Sequence, residues 1–257
     1  MTATALPIGP MAPAAVDALL AESTAVAGWP RSGVLSWRTT STTFELHGSL
    51  PSVTDSQHRE LLLTSGASLL NVRVLIRVLG LHPAVRLLPD PERPGLLAIV
   101  RPQGMRVITS EDRLIAAGIV LRAAGGTTVA SPGDRAGEGP ALPDNLLALF
   151  QRAAKVEHGW AAMISADVLP LALEQPAADT GGPIVVIGTV LDSPAARLQA
   201  GQAMQRALLT ATVNGVAARP VPAVLSDPAD RAAVRELIGG GLWPQAVLLM
   251  DSSSAAR

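Results

Sequence analysis

The sequence predicts an α+β fold built from two halves of similar design. Helical and extended segments follow one another along 257 residues, a length that fits one large domain or two smaller ones. The segments 66–80 and 201–215 each begin and end at glycine, and both glycine spacings are fourteen residues. Apolar positions coincide within the two segments, which indicates an internal repeat. Any two core helices ended by glycine would align in a similar way, so both interpretations stay open at this point.

The first third of the chain predicts two helices around a region of strand. Residues 14–27 carry apolar side chains at helical spacing and are followed by a Gly-Trp-Pro stop. Residues 34–46 are rich in β-branched side chains, which favours two short strands or one strand with a turn. A long helix then begins at Asp55 or Ser56, either of which can cap it. That helix ends at Gly80, which can adopt the left-handed conformation.

The middle of the chain predicts a pair of strands and a further helix. The runs 84–88 and 96–100 flank a turn-rich PDPERPG segment and are expected to form a hairpin or consecutive strands. Ser110 opens a helix that ends at a Gly-Gly pair, and acidic residues in its first turn interact favourably with the helix dipole. Residues 131–143 lack periodicity and predict a surface loop or an interdomain connection.

The last part of the chain predicts three helices and three strands. Pro143 stands where the start of a helix tolerates proline, and a Gly-Gly-Gly run from residue 239 ends a later helix. The predicted elements are, in order, helix 144–157, strand 160–165, strand 184–190, helix 193–214, helix 228–238 and strand 245–250. In both copies of the repeat, the helix therefore runs from its glycine into a short extended segment.

The composition excludes several classes of function. Aromatic residues make up 2% of the chain and the net charge is −1, so no nucleic-acid partner is expected, because such partners need stacking rings or a basic patch. The sequence contains no cysteine, which excludes disulfides, thiolate catalysis and zinc–sulfur sites. The four histidines are not at metal-ligand spacing, so no metal site is expected.

The sequence predicts a cytoplasmic protein that has no membrane partner. The first twenty residues lack the basic start of a signal peptide and are interrupted by prolines. The most apolar stretch, 61–80, contains Arg73 and Arg77, which indicates a buried amphipathic helix rather than a membrane span. The sequence has no G-x-S-x-G elbow, phosphate loop, dinucleotide-binding glycine motif or H-E-x-x-H motif, so hydrolase and kinase functions have no support.

Four segments resemble Acg-type members of the nitroreductase superfamily, in the order found in that family. These segments are 65–100, 110–122, 200–227 and 237–249. The resemblance implies a nitroreductase-like α+β fold in which two halves, 1–108 and 109–257, form an intramolecular pseudodimer with FMN between them. It implies either a monomeric pseudodimer or a homodimer, with NAD(P)H as the electron donor.

The flavin contacts of that family map onto six positions of this chain. Where relatives carry Pro-Ser-x-His-Asn-x-Gln-Pro-Trp, this chain runs from Trp29 to Trp37, and where they carry an arginine-rich phosphate clamp, one arginine is left. Near the C-terminus, Ala246 follows Pro-Gln where relatives place an arginine. The cofactor-binding residues that the resemblance implies are Ser32, Trp37, Arg122, Gly215, Val216 and Ala217, the last three through a turn whose backbone amides approach the flavin.

Two functions follow from the resemblance, and the sequence leaves both open. The first is an FMN-dependent NAD(P)H oxidoreductase that passes hydride through the flavin to a nitro or quinone-like acceptor, a small molecule. The alternative is a degenerate, non-catalytic relative that acts by flavin sequestration or protein contact. The loss of two charged hydrogen bonds to the phosphate would weaken FMN binding by roughly a hundredfold or more. The chain is also short near 173–183, where longer relatives carry a segment that covers the flavin.

Overall fold

The computed structural model describes residues 33–49, 54–123, 144–164 and 181–251. Within these ranges, eight strands form two antiparallel four-stranded sheets, and five α-helices pack between and against them. This mixture of helix and sheet confirms the predicted α+β class. The first predicted helix and the predicted loop at 131–143 lie outside the described residues.

The first sheet is formed by the N-terminal half of the chain. Its strands are β1 (Val34–Thr39), β2 (Phe44–Ser49), β3 (Leu81–Leu87) and β4 (Leu96–Met105), in the order β1-β2-β4-β3. The β-branched run is therefore two strands, joined by a turn in which the Thr40 amide donates to the Thr43 carbonyl oxygen at 2.9 Å. Burial alternates along β2, where Phe44 and Leu46 are buried and Glu45 and His47 are half-buried. This alternation directs one face of the sheet toward the core.

The second sheet is formed by the C-terminal half and has the same strand order. Its strands are β5 (Trp160–Ile164), β6 (Gly181–Thr189), β7 (Ala218–Pro220) and β8 (Trp243–Asp251), in the order β5-β6-β8-β7. In each sheet the first strand pairs with the second, the second with the fourth and the fourth with the third, and all these pairs are antiparallel. Both faces of β6 are covered, which explains its uninterrupted Ile-Val-Val-Ile run.

Two long helices lie at the centre, two shorter helices pack against them, and a third packs against the second sheet. The helices are α1 (Asp55–Val78), α2 (Ser110–Ala123), α3 (Leu146–Val156), α4 (Pro194–Val213) and α5 (Pro228–Leu237), with a 3₁₀ turn at Pro222–Leu225. The cap predicted at Asp55 or Ser56 is instead Thr54, whose hydroxyl accepts from the Gln57 amide. Thr54 and Gln57 form a reciprocal capping box, in which the Gln57 side-chain oxygen accepts from the Thr54 amide. Two hydrogen bonds stabilise this start of the helix more than the single bond of a cap at Asp55 or Ser56 would. Gly80 ends the helix with a φ of 76°, as predicted.

The helices α1 and α4 cross where Gly66 meets Gly201. A methyl group added to Gly66 would lie 2.2 Å from the Leu198 carbonyl oxygen, and one added to Gly201 would lie 2.1 Å from the Leu63 carbonyl oxygen. Each glycine thus contacts the residue three positions before the other glycine. The two backbones approach so closely that neither position has room for a side chain.

The core joins the two halves. One cluster of buried side chains combines Leu63 and Ala67 of α1 with Phe150 of α3 and with residues of α4 and the second sheet. Another places Leu198 of α4 among residues of α1 and the first sheet. The helix α1 is long and apolar enough to span a membrane, but 78% of its most apolar window is buried inside the protein, as in a core helix.

Candidate functional site

Arg122 and the turn at 215–217 lie together at one end of α4. Arg122 is on α2, and its guanidinium donates to the Thr212 hydroxyl at 3.3 Å and to the Ala218 carbonyl oxygen at 3.5 Å. Thr212 is in the last turn of α4, and Ala218 begins β7 directly after the glycine turn. The structure therefore places these four implied positions next to one another, where Arg122 joins α2 to α4 and β7.

Arg122 faces the protein interior. It is 8% exposed, and burial lowers the pKa of its guanidinium. The Thr212 hydroxyl and the Ala218 carbonyl oxygen both accept from its guanidinium. Binding of a phosphate at this side chain would require these internal contacts to rearrange.

The turn after α4 is a helix C-cap whose amides are already bonded. Gly215 has a φ of 72°, and its amide donates to the Thr212 carbonyl oxygen at 3.0 Å. The Val216 amide donates to the Ala211 carbonyl oxygen at 2.9 Å, and Val216 is 3% exposed. These two bonds form the Schellman arrangement, which satisfies the last carbonyl groups of a helix. In this arrangement the amides of Gly215 and Val216 do not point toward a ligand.

Trp37 lies in a different part of the molecule. Its indole N–H donates to the Ser68 hydroxyl at 2.9 Å, and its ring packs against the core cluster of the first sheet and α1. Ser68 is two residues beyond the crossing at Gly66, whereas Gly215 is fourteen residues beyond Gly201. At 1.5 Å per residue, that turn is about 20 Å from the crossing along α4. Ser32 lies outside the described residues.

As arranged in this structure, Arg122, Gly215, Val216 and Trp37 do not form one FMN site. The two turn amides and the arginine make internal hydrogen bonds, and Trp37 is remote from them. Among the residues that the structure describes, no group of three His, Asp or Glu side chains could hold a metal ion. The binding role of the six positions stays a prediction, while the contacts of Trp37, Arg122, Gly215 and Val216 give these four a structural role.

A cavity of about 260 Å³ opens between α2, α3 and α4. Its walls are mostly apolar, and its charged groups are Glu111, Arg152 and Arg206. The lining residues are Ser110, Glu111, Leu114, Ile115, Leu149, Arg152, Ala153, Arg206, Thr210, Val213 and Asn214. Val213 and Asn214 come directly before the Gly215 turn, so the cavity adjoins the predicted site without including it.

A buried ion network lies behind the cavity. Glu157 is 2% exposed and pairs with both Arg73 of α1 and Arg206 of α4. The Arg206 Nε donates to a Glu157 oxygen at 2.9 Å, and the Arg206 Nη1 lies 3.5 Å from the Glu111 carboxylate at the cavity. This network could not be predicted from the sequence, because its members are far apart along the chain and match no motif.

A second ion cluster connects α1, α4, α5 and β8. Asp192 accepts hydrogen bonds from Arg197 and Gln245 and forms an ion pair with Arg231 at 2.9 Å. Burial alone would raise the pKa of Asp192, but these partners outweigh it and hold the pKa well below its usual range. The nearby Arg59 is 5% exposed, and burial together with Arg231 and Arg197 lowers its pKa to about 10.

Arg59 lies beside Ala246, the position at which the resemblance implies an additional arginine. Its Nη1 donates to the Leu225 carbonyl oxygen at 2.6 Å, and its Nη2 donates to the Gln245 side chain at 3.5 Å. Gln245 precedes Ala246, which lines the same small cleft. The cleft has an accessible volume of about 10 Å³, enough for about one water molecule but not for a phosphate.

A comparison with curated proteins places the chain among known proteins. No family model matches the sequence. Two curated proteins of Mycobacterium tuberculosis, one from strain CDC 1551 / Oshkosh and one from strain ATCC 25618 / H37Rv, carry the name NAD(P)H nitroreductase. Each is 30% identical over 268 aligned residues, which cover 82% of this chain and 77% of the relative. The similarity therefore extends over both halves of the chain.

Proposed function

Because the chain belongs to the nitroreductase family, we propose that it is a degenerate, non-catalytic member of the Acg-type branch. In this proposal it acts by binding, through flavin sequestration or protein contact, rather than by hydride transfer. Its relatives are named for an NAD(P)H-dependent oxidoreductase activity. The cytoplasmic location stays a prediction.

The observation that carries the proposal is the bonding state of the turn after α4. The amides of Gly215 and Val216 donate to the last carbonyl groups of their own helix. Arg122, the arginine left from the family's phosphate clamp, is buried against a hydroxyl and a backbone carbonyl. A flavin phosphate needs several charge-assisted donors that point at it, and here those donors stabilise the fold instead.

The proposal includes an intramolecular pseudodimer made of the halves 1–108 and 109–257. The identical strand orders of the two sheets support it, as does the reciprocal contact of Gly66 and Gly201. A chain that contains both halves has the central helix pair of such an assembly within one molecule. We therefore expect a monomer in solution rather than a homodimer.

Titration with FMN tests the proposed function. If the protein acts by protein contact, the full-length protein, purified in the presence of excess FMN and then separated from free ligand, should be colourless and should not quench FMN fluorescence in a saturable manner. NAD(P)H should not be oxidised with a nitroaromatic or quinone acceptor. A cooperative thermal unfolding transition of the same sample would show that it is folded.

The second candidate is the FMN-dependent NAD(P)H oxidoreductase. The position of Arg59 beside Gln245 favours it, because a buried cation lies next to the site where relatives place an arginine. Yellow protein that retains FMN, together with oxidation of NAD(P)H that depends on an acceptor, would overturn the non-catalytic proposal. A yellow complex with one FMN per chain that does not oxidise NAD(P)H would support flavin sequestration over protein contact.

A further inference from the structure

The cavity between α2, α3 and α4 has apolar walls and one charged end. The apolar side chains that line it are Leu114, Ile115, Leu149, Ala153 and Val213. The charged side chains are Glu111, Arg152 and Arg206. A ligand that fills such a cavity therefore has an apolar body and one charged group.

The Glu111 carboxylate lies between two guanidinium groups without a close contact to either. One of its oxygens is 3.5 Å from Arg206 Nη1, and the other is 3.6 Å from Arg152 Nη2. Charge-assisted hydrogen bonds between nitrogen and oxygen are about 2.7–2.9 Å long, so both contacts are loose. The Glu111 side chain is 52% exposed, and it can turn toward solvent at little cost.

The surrounding charge favours an anion. Arg73 and Arg206 share one buried carboxylate, that of Glu157. Arg152 is 76% exposed at the rim of the cavity and pairs with Glu111. Among the described residues, these three arginines face two glutamates, so they leave a positive excess at the charged end even while Glu111 is in place.

We propose that this cavity binds a small amphipathic carboxylate, whose carboxylate group displaces the Glu111 side chain from between Arg152 and Arg206. The ligand's apolar body lies against Leu114 and Leu149. The volume of about 260 Å³ is just below the usual range of about 300–1,000 Å³ for drug-sized ligands, which indicates a ligand of one or two rings or a short chain. The inference goes beyond the proposed function, because it uses none of the six predicted flavin positions.

Calorimetric titration of the full-length protein with 2-naphthoate tests this site. We expect saturable binding of one molecule per chain, and we expect the uncharged 2-naphthamide to bind more weakly. Glu111→Gln removes the internal competitor and should tighten binding about two- to fivefold, the range for exposed ion pairs. Arg152→Gln removes one cation and should weaken binding by a similar factor.

Two matched variants separate a local effect from a change of net charge. Arg113→Gln alters an exposed arginine on the same helix that does not line the cavity, and Glu92→Gln alters an exposed glutamate in the β3–β4 turn. Both should bind 2-naphthoate like the unmodified protein. Equal effects of Arg113→Gln and Arg152→Gln, equal binding of 2-naphthamide, or a lack of saturable binding would each overturn the inference. FMN is titrated separately, so failure of this inference leaves the proposed function untouched, and the reverse also holds.

Discussion

Buried arginines hold the interior of this protein together. Arg59, Arg122, Arg197 and Arg206 are all less than 9% exposed, and Lys155 is the single lysine of the sequence. Burial lowers the pKa of Arg59 to about 10, which still leaves its guanidinium charged at neutral pH. A lysine at such a position would lose its charge more readily and has no planar fork for two acceptors. The chain therefore uses the one basic side chain that keeps its charge when it is buried.

Replacement of Asp192 by Asn should make stability depend less on pH. The folded-state pKa of Asp192 is lowered, so its stabilising contribution is complete above the unfolded value of about 3.9 and is lost as the pH falls. At pH 7 the Asp192→Asn variant should be less stable by about 2 kcal/mol or more, because Arg197 and Arg231 lose their shared partner. Urea unfolding measured from pH 7 down to pH 3 checks this.

The pH series also distinguishes the local cause from general acid denaturation. The difference in unfolding free energy between the two proteins should narrow as the pH falls below about 4. The exposed Asp144 provides the control, and Asp144→Asn should match the unmodified protein at every pH. A difference that stays constant with pH would contradict the role assigned to the Asp192 carboxylate.

The sequence could identify site residues only where neighbouring residues or a family motif marked them. Arg122 and the Gly215 turn were implied by a resemblance, and the structure places them together. The pairing of Arg73 and Arg206 with Glu157 could not be predicted, because it depends on how α1, α3 and α4 pack. A buried charge pair leaves no periodic pattern in the chain.

At the level of secondary structure, the crossing of α1 and α4 is the most constrained contact. Gly201→Ala would place a methyl carbon 2.1 Å from the Leu63 carbonyl oxygen, a backbone atom that cannot rotate away. The helices would have to separate, so the free energy of unfolding should fall by about 3 kcal/mol or more. Thermal and urea denaturation measure this loss.

A double-mutant cycle sharpens the same prediction. Gly66→Ala and Gly201→Ala both require the same separation of the two helices, so their combined cost should be clearly smaller than the sum. Gly241→Ala is the matched control, since nothing lies within 4 Å of a methyl group at that position. Strictly additive losses would contradict a shared contact.

Local signals located most of the described helices and strands. The predicted ends of α1 and α4 at Gly80 and Gly215 are confirmed. A glycine in the left-handed conformation ends a helix regardless of its surroundings. Strand ends were less accurate: β4 continues to Met105, five residues beyond the predicted run. Pairing with β3 extends β4 there, and pairing partners are not visible in a single segment.

For the molecule as a whole, the two halves depend on each other for burial. Leu63 of α1 is buried among second-half residues, and Leu198 of α4 is buried among first-half residues. Fragments 1–108 and 109–257, produced separately, should therefore lack a cooperative unfolding transition. Mixed at equal concentration, they should recover the circular dichroism spectrum of the intact chain and elute together in gel filtration.

The fragment experiment has a clear contrary result. If either fragment alone unfolds cooperatively with a near-native spectrum, the shared core is not required for folding. The split point lies in the connection between β4 and α2, so neither fragment loses part of a described helix or strand.

The contact between Gly66 and Gly201 also limits which substitutions such a chain can accept during evolution. In an assembly of two identical subunits, one glycine codon would supply both sides of a reciprocal contact. Here two codons, 135 positions apart, must each encode glycine. A substitution at either codon removes the contact from both sides. Two lineages of this protein that share little other sequence should therefore still share this pair.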